Sequence, residues 1–124
     1  MEQTSDSTQT LAKLKETVRG FCSERDWDQY HNAKELSIGI CTEASELLQH
    51  FRFKSGSEVE QAMNNSETRT RITEEVADVL FFLIRLAQRY EIDLSTALAA
   101  KLKTNAIRYP VEKARGSNKK YGEF

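Results

Sequence analysis

The chain has 124 residues, 39% of them hydrophobic, which is one domain in size with room for a single modest core. Its 18 lysines and arginines nearly balance 19 aspartates and glutamates, a net charge of −1 that gives no basic footprint for a nucleic acid polymer or a membrane surface. The N-terminus is polar and no stretch approaches the roughly 18 consecutive apolar residues of a membrane span, so a cytoplasmic protein is expected.

One proline, Pro110, and five scattered glycines favour long helices, and strand-type alternation is absent. Residues 1–7 are expected to be disordered, residues 8–110 to form the helical domain, and residues 111–124 to be a polar, basic tail. The first helix is predicted from Thr8 to Arg25, where Leu11, Leu14, Val18, Phe21 and Cys22 recur at three and four residues. Asp26 to Asn32 reads as a turn carrying Trp27, Tyr30 and His31, after which Asn32 caps a second helix running to about Phe53. A polar stretch around Ser55, Gly56, Asn64 and Ser66 has room for one short helix. The third long helix is predicted from about Glu67 to Tyr90, and Asp93 or Ser95 caps a fourth that ends at Tyr109 before Pro110. Cys22 and Cys41 have no metal-ligand spacing around them and read as reduced, semi-buried packing residues.

Two pairs of acids stand out: Glu43 and Glu46 on the second helix, Glu75 and Asp78 on the third. Each pair is spaced i, i+3, on one helical face, so two such helices side by side aim four carboxylates into one space suited to a hard divalent cation and a phosphate ligand. Helical phase at about 100° per residue sets Leu36, Ile40, Ala44, Leu47 and Phe51 in an apolar stripe bordered by Gly39, Glu43, Glu46 and His50. The third long helix repeats the pattern, with Ile72, Val76, Val79, Leu80, Leu83 and Ala87 bordered by Arg71, Glu75, Asp78 and Phe82. Acids on a stripe's edge are ordinarily solvated flank residues, and Glu67 and Glu74 fit that reading. Four like charges brought together are destabilising unless cations neutralise them.

Glu43-Ala-Ser-Glu46 followed by Glu75-Val-Ala-Asp78 resembles the E-x-x-E … E-x-x-D signature of the MazG-like all-α nucleoside triphosphate pyrophosphohydrolases. The likeness continues through Asp26-Trp27-Asp28-Gln29-Tyr30-His31, Asp93-Leu94, Arg108-Tyr109-Pro110 and Ala114-Arg115-Gly116-Ser117-Asn118-Lys119-Lys120-Tyr121, and is greatest to the branch that hydrolyses dCTP. The resemblance implies a four-to-five-helix bundle completed by homo-oligomerisation, a homodimer or homotetramer. It also implies hydrolysis of a nucleoside triphosphate, with dCTP first, to a monophosphate and pyrophosphate in cleaning the nucleotide pool. Glu43, Glu46, Glu75 and Asp78 match the positions that hold Mg²⁺, with Mn²⁺ as a substitute, and are the expected catalytic and metal-binding set. Oligomerisation has support of its own: Phe81 and Ile84 lie well round from the stripe of their helix, within a run of six apolar residues from Val79 to Ile84.

Metal held by such carboxylates would neutralise triphosphate oxygens and lower the pKa of a water for in-line attack, with one of the acids or Glu74 taking the proton. Lys101, Asn105 and Arg108 fall at i, i+4, i+7 on one face of the fourth helix and suit phosphate oxygens; the resemblance favours Lys101 and Asn105 as substrate contacts. Trp27, His31, Phe53 and Phe82 are the candidates for a flat base pocket. His50, on the Glu43 row, is a candidate base, a rim residue or a subunit contact. Two other readings stand open: a non-catalytic helical interaction module, and a related bundle hydrolase acting on dUTP or phosphoribosyl-ATP. A di-iron bundle would need Glu-x-x-His on two helices, which the chain lacks.

Overall fold

The computed structural model describes residues 3–124, all of whose regular structure is helical. The expectation of disorder over residues 1–7 falls in part on residues 1 and 2, outside the described residues; further on, Thr8 N–H donates to Ser5 O at 3.1 Å and closes a turn.

The first of two compact units ends at Glu91. It contains α1 (Leu11–Glu24), α2 (Ala33–Gln49), α3 (Gly56–Asn64) and α4 (Ser66–Arg89). Each start has a chemical cause. The side chains of Thr10, Asn32, Ser55 and Asn65 accept hydrogen bonds from first-turn N–H groups, and Ser55 with Glu58 completes a reciprocal capping box. α4 is the spine: at 24 residues it is about 36 Å long, and α1, α2 and α3 all pack on it. The core is Cys22 from α1, Leu36 from α2 and Ile72, Ile84 and Ala87 from α4, with Arg85 among them.

Several expectations need correction. α2 stops at Gln49 and a turn follows, so Phe53 lies outside the helix with φ at +64°. On α4 the expected stripe is rotated: Ile84 is 2% exposed, while Val76, Leu80 and Leu83 are 50, 44 and 41% exposed. The cause is the unbroken apolar run from Val79 to Ile84, which offers two faces for burial and lets contact with α1 and α2 choose. Cys22 is buried but Cys41 is exposed, since one step beyond Ile40 turns it off the α2 stripe.

The second unit, Ile92–Phe124, holds α5 (Leu94–Arg108), α6 (Val111–Ala114) and a 3₁₀ turn at Tyr121–Glu123. Asp93 caps α5 through Thr96 N–H, and Pro110 begins α6 after Tyr109. The end of the chain folds back on the end of α5: Tyr109 meets Tyr121 and Phe124 edge to face at 5.8 and 5.9 Å, and the Arg108 guanidinium lies over the Tyr121 ring at 5.0 Å.

Candidate active site

The two acid pairs meet because α2 and α4 run against each other. One carboxylate oxygen each from Glu43, Glu75 and Asp78 lies within 4.8 Å of the others. Glu46 adjoins them, and its carboxyl acts on both Glu43 and Glu75. An Oε2 of Glu43 and one of Glu75 are buried with no hydrogen-bond partner, which ordinarily costs about 1–3 kcal/mol per group. Burial first, then the Glu46 carboxyl and the charges of Asp78 and Glu75, push Glu43 up to about 7. Glu75 is raised as well, by burial and then by Glu46 and Asp78, with His50 opposing; the His50 Nε2 is 3.9 Å from Glu75 Oε1. Clustered oxygens, two of them without donors, fit a hard divalent cation, the ligand that would satisfy every one of them.

A cleft of about 490 Å³ opens directly beside the acids, lined by Phe21, Trp27, Glu43, Ala77, Asp78, Phe81 and Phe82. Phe21 meets Trp27 at 5.7 Å and Phe81 at 6.0 Å, and Phe81 meets Phe82 at 5.3 Å, so the apolar wall is a continuous chain of rings. Charged ligand atoms can meet the carboxylate end while a flat apolar group lies on the rings. A second cleft, of about 470 Å³, has Lys54 and Arg71 balanced by Glu58 and Glu67, so it has no excess charge to draw an anion.

Trp27 reaches the cleft from a turn anchored by a buried arginine. Arg85 is fully buried, and its guanidinium donates to His31 Nδ1 at 2.9 Å, to Gln88 Oε1 at 2.6 Å and to Asp28 Oδ1. Arg89 adds bonds to the carbonyl oxygens of His31 and Asp28 at 3.3 and 3.4 Å. Because His31 Nδ1 accepts, the ring proton sits on Nε2. Burial, followed by the charges of Arg85 and Arg89, lowers the His31 pKa and keeps the imidazole neutral. The Arg85 hydrogen bond in turn holds Asp28 below the usual carboxylate range.

Of the residues expected from sequence, Glu43, Glu75, Asp78, Trp27 and Phe82 come together at one cleft, with Glu46 adjoining. His31 meets Trp27 at 5.9 Å with the ring planes tilted by 59°, and does not itself line the cleft. Phe53 is 92% exposed, its ring under Arg52 at 4.4 Å, and does not line the cleft. Lys101, Asn105 and Arg108 belong to the second unit and lie along α5. Phe21, Ala77 and Phe81 were not expected at the site. Phe21 could have been found from its place on the α1 stripe five residues before the turn carrying Trp27, but Arg85 gives no signal, standing as a lone charge in an apolar run.

Residues 38–124 match the MazG-like family. dCTP pyrophosphatase 1 of Rattus norvegicus is 38% identical over 115 residues, covering 93% of this chain and 68% of that protein. dCTP pyrophosphatase 1 of Homo sapiens is 35% identical with the same coverage. The crystal structure of a pyrophosphatase from Archaeoglobus fulgidus superposes with a TM-score of 0.75 at 29% identity, over 89% of this chain and 98% of that one. Helices, acid cluster and relatives together define the class: a hydrolase of the nucleoside triphosphate diphosphatase kind. Within it, the chain belongs to the MazG-like family.

Proposed function

We propose that the chain is a Mg²⁺-dependent pyrophosphohydrolase that converts dCTP to dCMP and pyrophosphate and so keeps the deoxynucleotide pool clean. The observation that carries this is the placement of buried, donorless carboxylate oxygens in the same small space as a ring-lined cleft. Glu43, Glu46, Glu75 and Asp78 hold the metal, for which Mn²⁺ can substitute. Bound there, Mg²⁺ supplies charge neutralisation for the triphosphate and a more acidic water. The four acids repel one another when empty, so the site is poised to take up positive charge. Trp27 and Phe82 sandwich the base, with Phe21 and Phe81 behind them. His31, neutral and fixed in one tautomer, supports the Trp27 turn. On α5, Lys101, Asn105 and Arg108 present donors suited to phosphate oxygens. The exposed apolar face of Val76, Leu80 and Leu83 supports a homodimer or homotetramer.

The test is pyrophosphate release from the common ribo- and deoxynucleoside triphosphates with millimolar Mg²⁺ and with EDTA. Metal-dependent release, fastest from dCTP, is expected. Release fastest from dUTP would move the assignment to a related hydrolase, and none from any of them would overturn it.

A further inference from the structure

Gly39 lies in the interior of α2, where glycine is less favourable than alanine. Its φ is not in the left-handed range, so the backbone does not ask for it. What requires it is a ring. A β-carbon built at Gly39 would stand 2.5, 2.6 and 2.8 Å from Cε1, Cδ1 and Cζ of Phe82, far inside the roughly 3.5–4.0 Å at which carbons pack. Phe82 therefore rests on the α2 backbone itself. It also lines the cleft that Glu43 and Asp78 share, one helical turn along α4 from Asp78.

We propose that Gly39 determines the specificity of the base slot: by leaving room for the Phe82 ring to draw back onto α2, it sets how wide a planar base the slot admits. This rests on the reading of the site as one that cleaves a nucleoside triphosphate, and it names a residue that touches no substrate. The direction of the effect follows from what surrounds the ring. A methyl at position 39 has helix backbone behind it and the open cleft in front of Phe82, so the ring yields into the cleft. The slot narrows, while the core made by Cys22, Leu36, Ile72, Ile84 and Ala87 is left as it was. One methyl in an apolar pocket is worth about 10- to 200-fold in discrimination.

Gly39→Ala, Phe82→Leu and the double variant test this against the wild type. Trp27 is the only tryptophan and lines the same cleft, so its fluorescence reads binding of an α,β-methylene analogue of dCTP. Inhibition by inorganic pyrophosphate reads the phosphate end alone. Gly39→Ala is expected to weaken the analogue about tenfold or more and raise KM, to leave pyrophosphate inhibition within about twofold, and to lose its effect when Phe82 is leucine. Unchanged analogue affinity, an equal loss for pyrophosphate, or the same loss in the Phe82→Leu background would overturn the proposal. Should Gly39→Ala not fold, Phe82→Leu alone decides: it must change the ratio of kcat/KM for dCTP over dATP by about tenfold, and an unchanged ratio sinks the idea. A wild type that releases no pyrophosphate from any nucleoside triphosphate removes the functional reading first, and this inference with it.

Discussion

Glu43 shows how a single side chain can hold a site ready and weaken the fold while doing so. With its carboxyl pushed up to about 7 from an ordinary 4.5, the folded chain keeps a proton that the unfolded chain has released. The metal-free protein must then lose stability as pH rises from about 4.5 to about 7, and level off above that. Glu43→Gln keeps the shape, removes the charge and gives its acid neighbours an N–H donor. It is expected to abolish turnover, raise the metal-free Tm and flatten its decline with pH; a lower Tm at pH 8 than wild type would show that Glu43 is not under repulsion. The acid rows were legible in the sequence because i, i+3 spacing on a helix fixes a shared face whatever surrounds it. Gly39 was legible only as a member of the Glu43 row; its contact with Phe82 joins residues 43 positions apart, and nothing local signals it.

The turn between α1 and α2 has one apolar anchor: Asp28 and Tyr30 are exposed, and only Trp27, itself 36% exposed, meets a ring of α1, that of Phe21. Asp26, with φ at +54°, breaks away from α1, and Arg85 ties the segment down from α4. Arg85→Met fits the space but strands His31, Gln88 and Asp28. Losing the three side-chain hydrogen bonds that the buried guanidinium makes is expected to lower the Tm by several degrees. The Trp27 emission should shift to the red as the ring loosens; a melt and a spectrum like the wild type's would show that the turn holds itself. The helix starts at Asn32 and Asp93 were readable because an N-cap is a local event within four residues. The anchoring of this turn was not, because Arg85 bonds residues 54 and 57 positions away, and an arginine standing alone in an apolar run ordinarily reads as facing solvent. The α4 stripe failed for a related reason: an apolar run has no phase until a neighbour supplies one.

At the scale of the whole molecule, stability and ligand binding are linked through the acid cluster. Millimolar Mg²⁺ should raise the Tm, by about 2.7 kcal/mol of added stability when the metal is at a hundred times its Kd. The gain should be larger at pH 8 than at pH 6, since protons on Glu43 compete with the cation below about 7. EDTA should reverse it and Glu43→Gln should remove most of it; equal melting with and without metal at pH 8 would separate the acids from cation binding. No helix among the described residues is long and apolar enough to cross a membrane. The donorless oxygens of Glu43 and Glu75 also bias how this chain would evolve in the laboratory. A library screened for heat resistance in a chelating buffer would reward amides at positions 43 and 75, and its winners would be sturdy proteins with nothing left to catalyse.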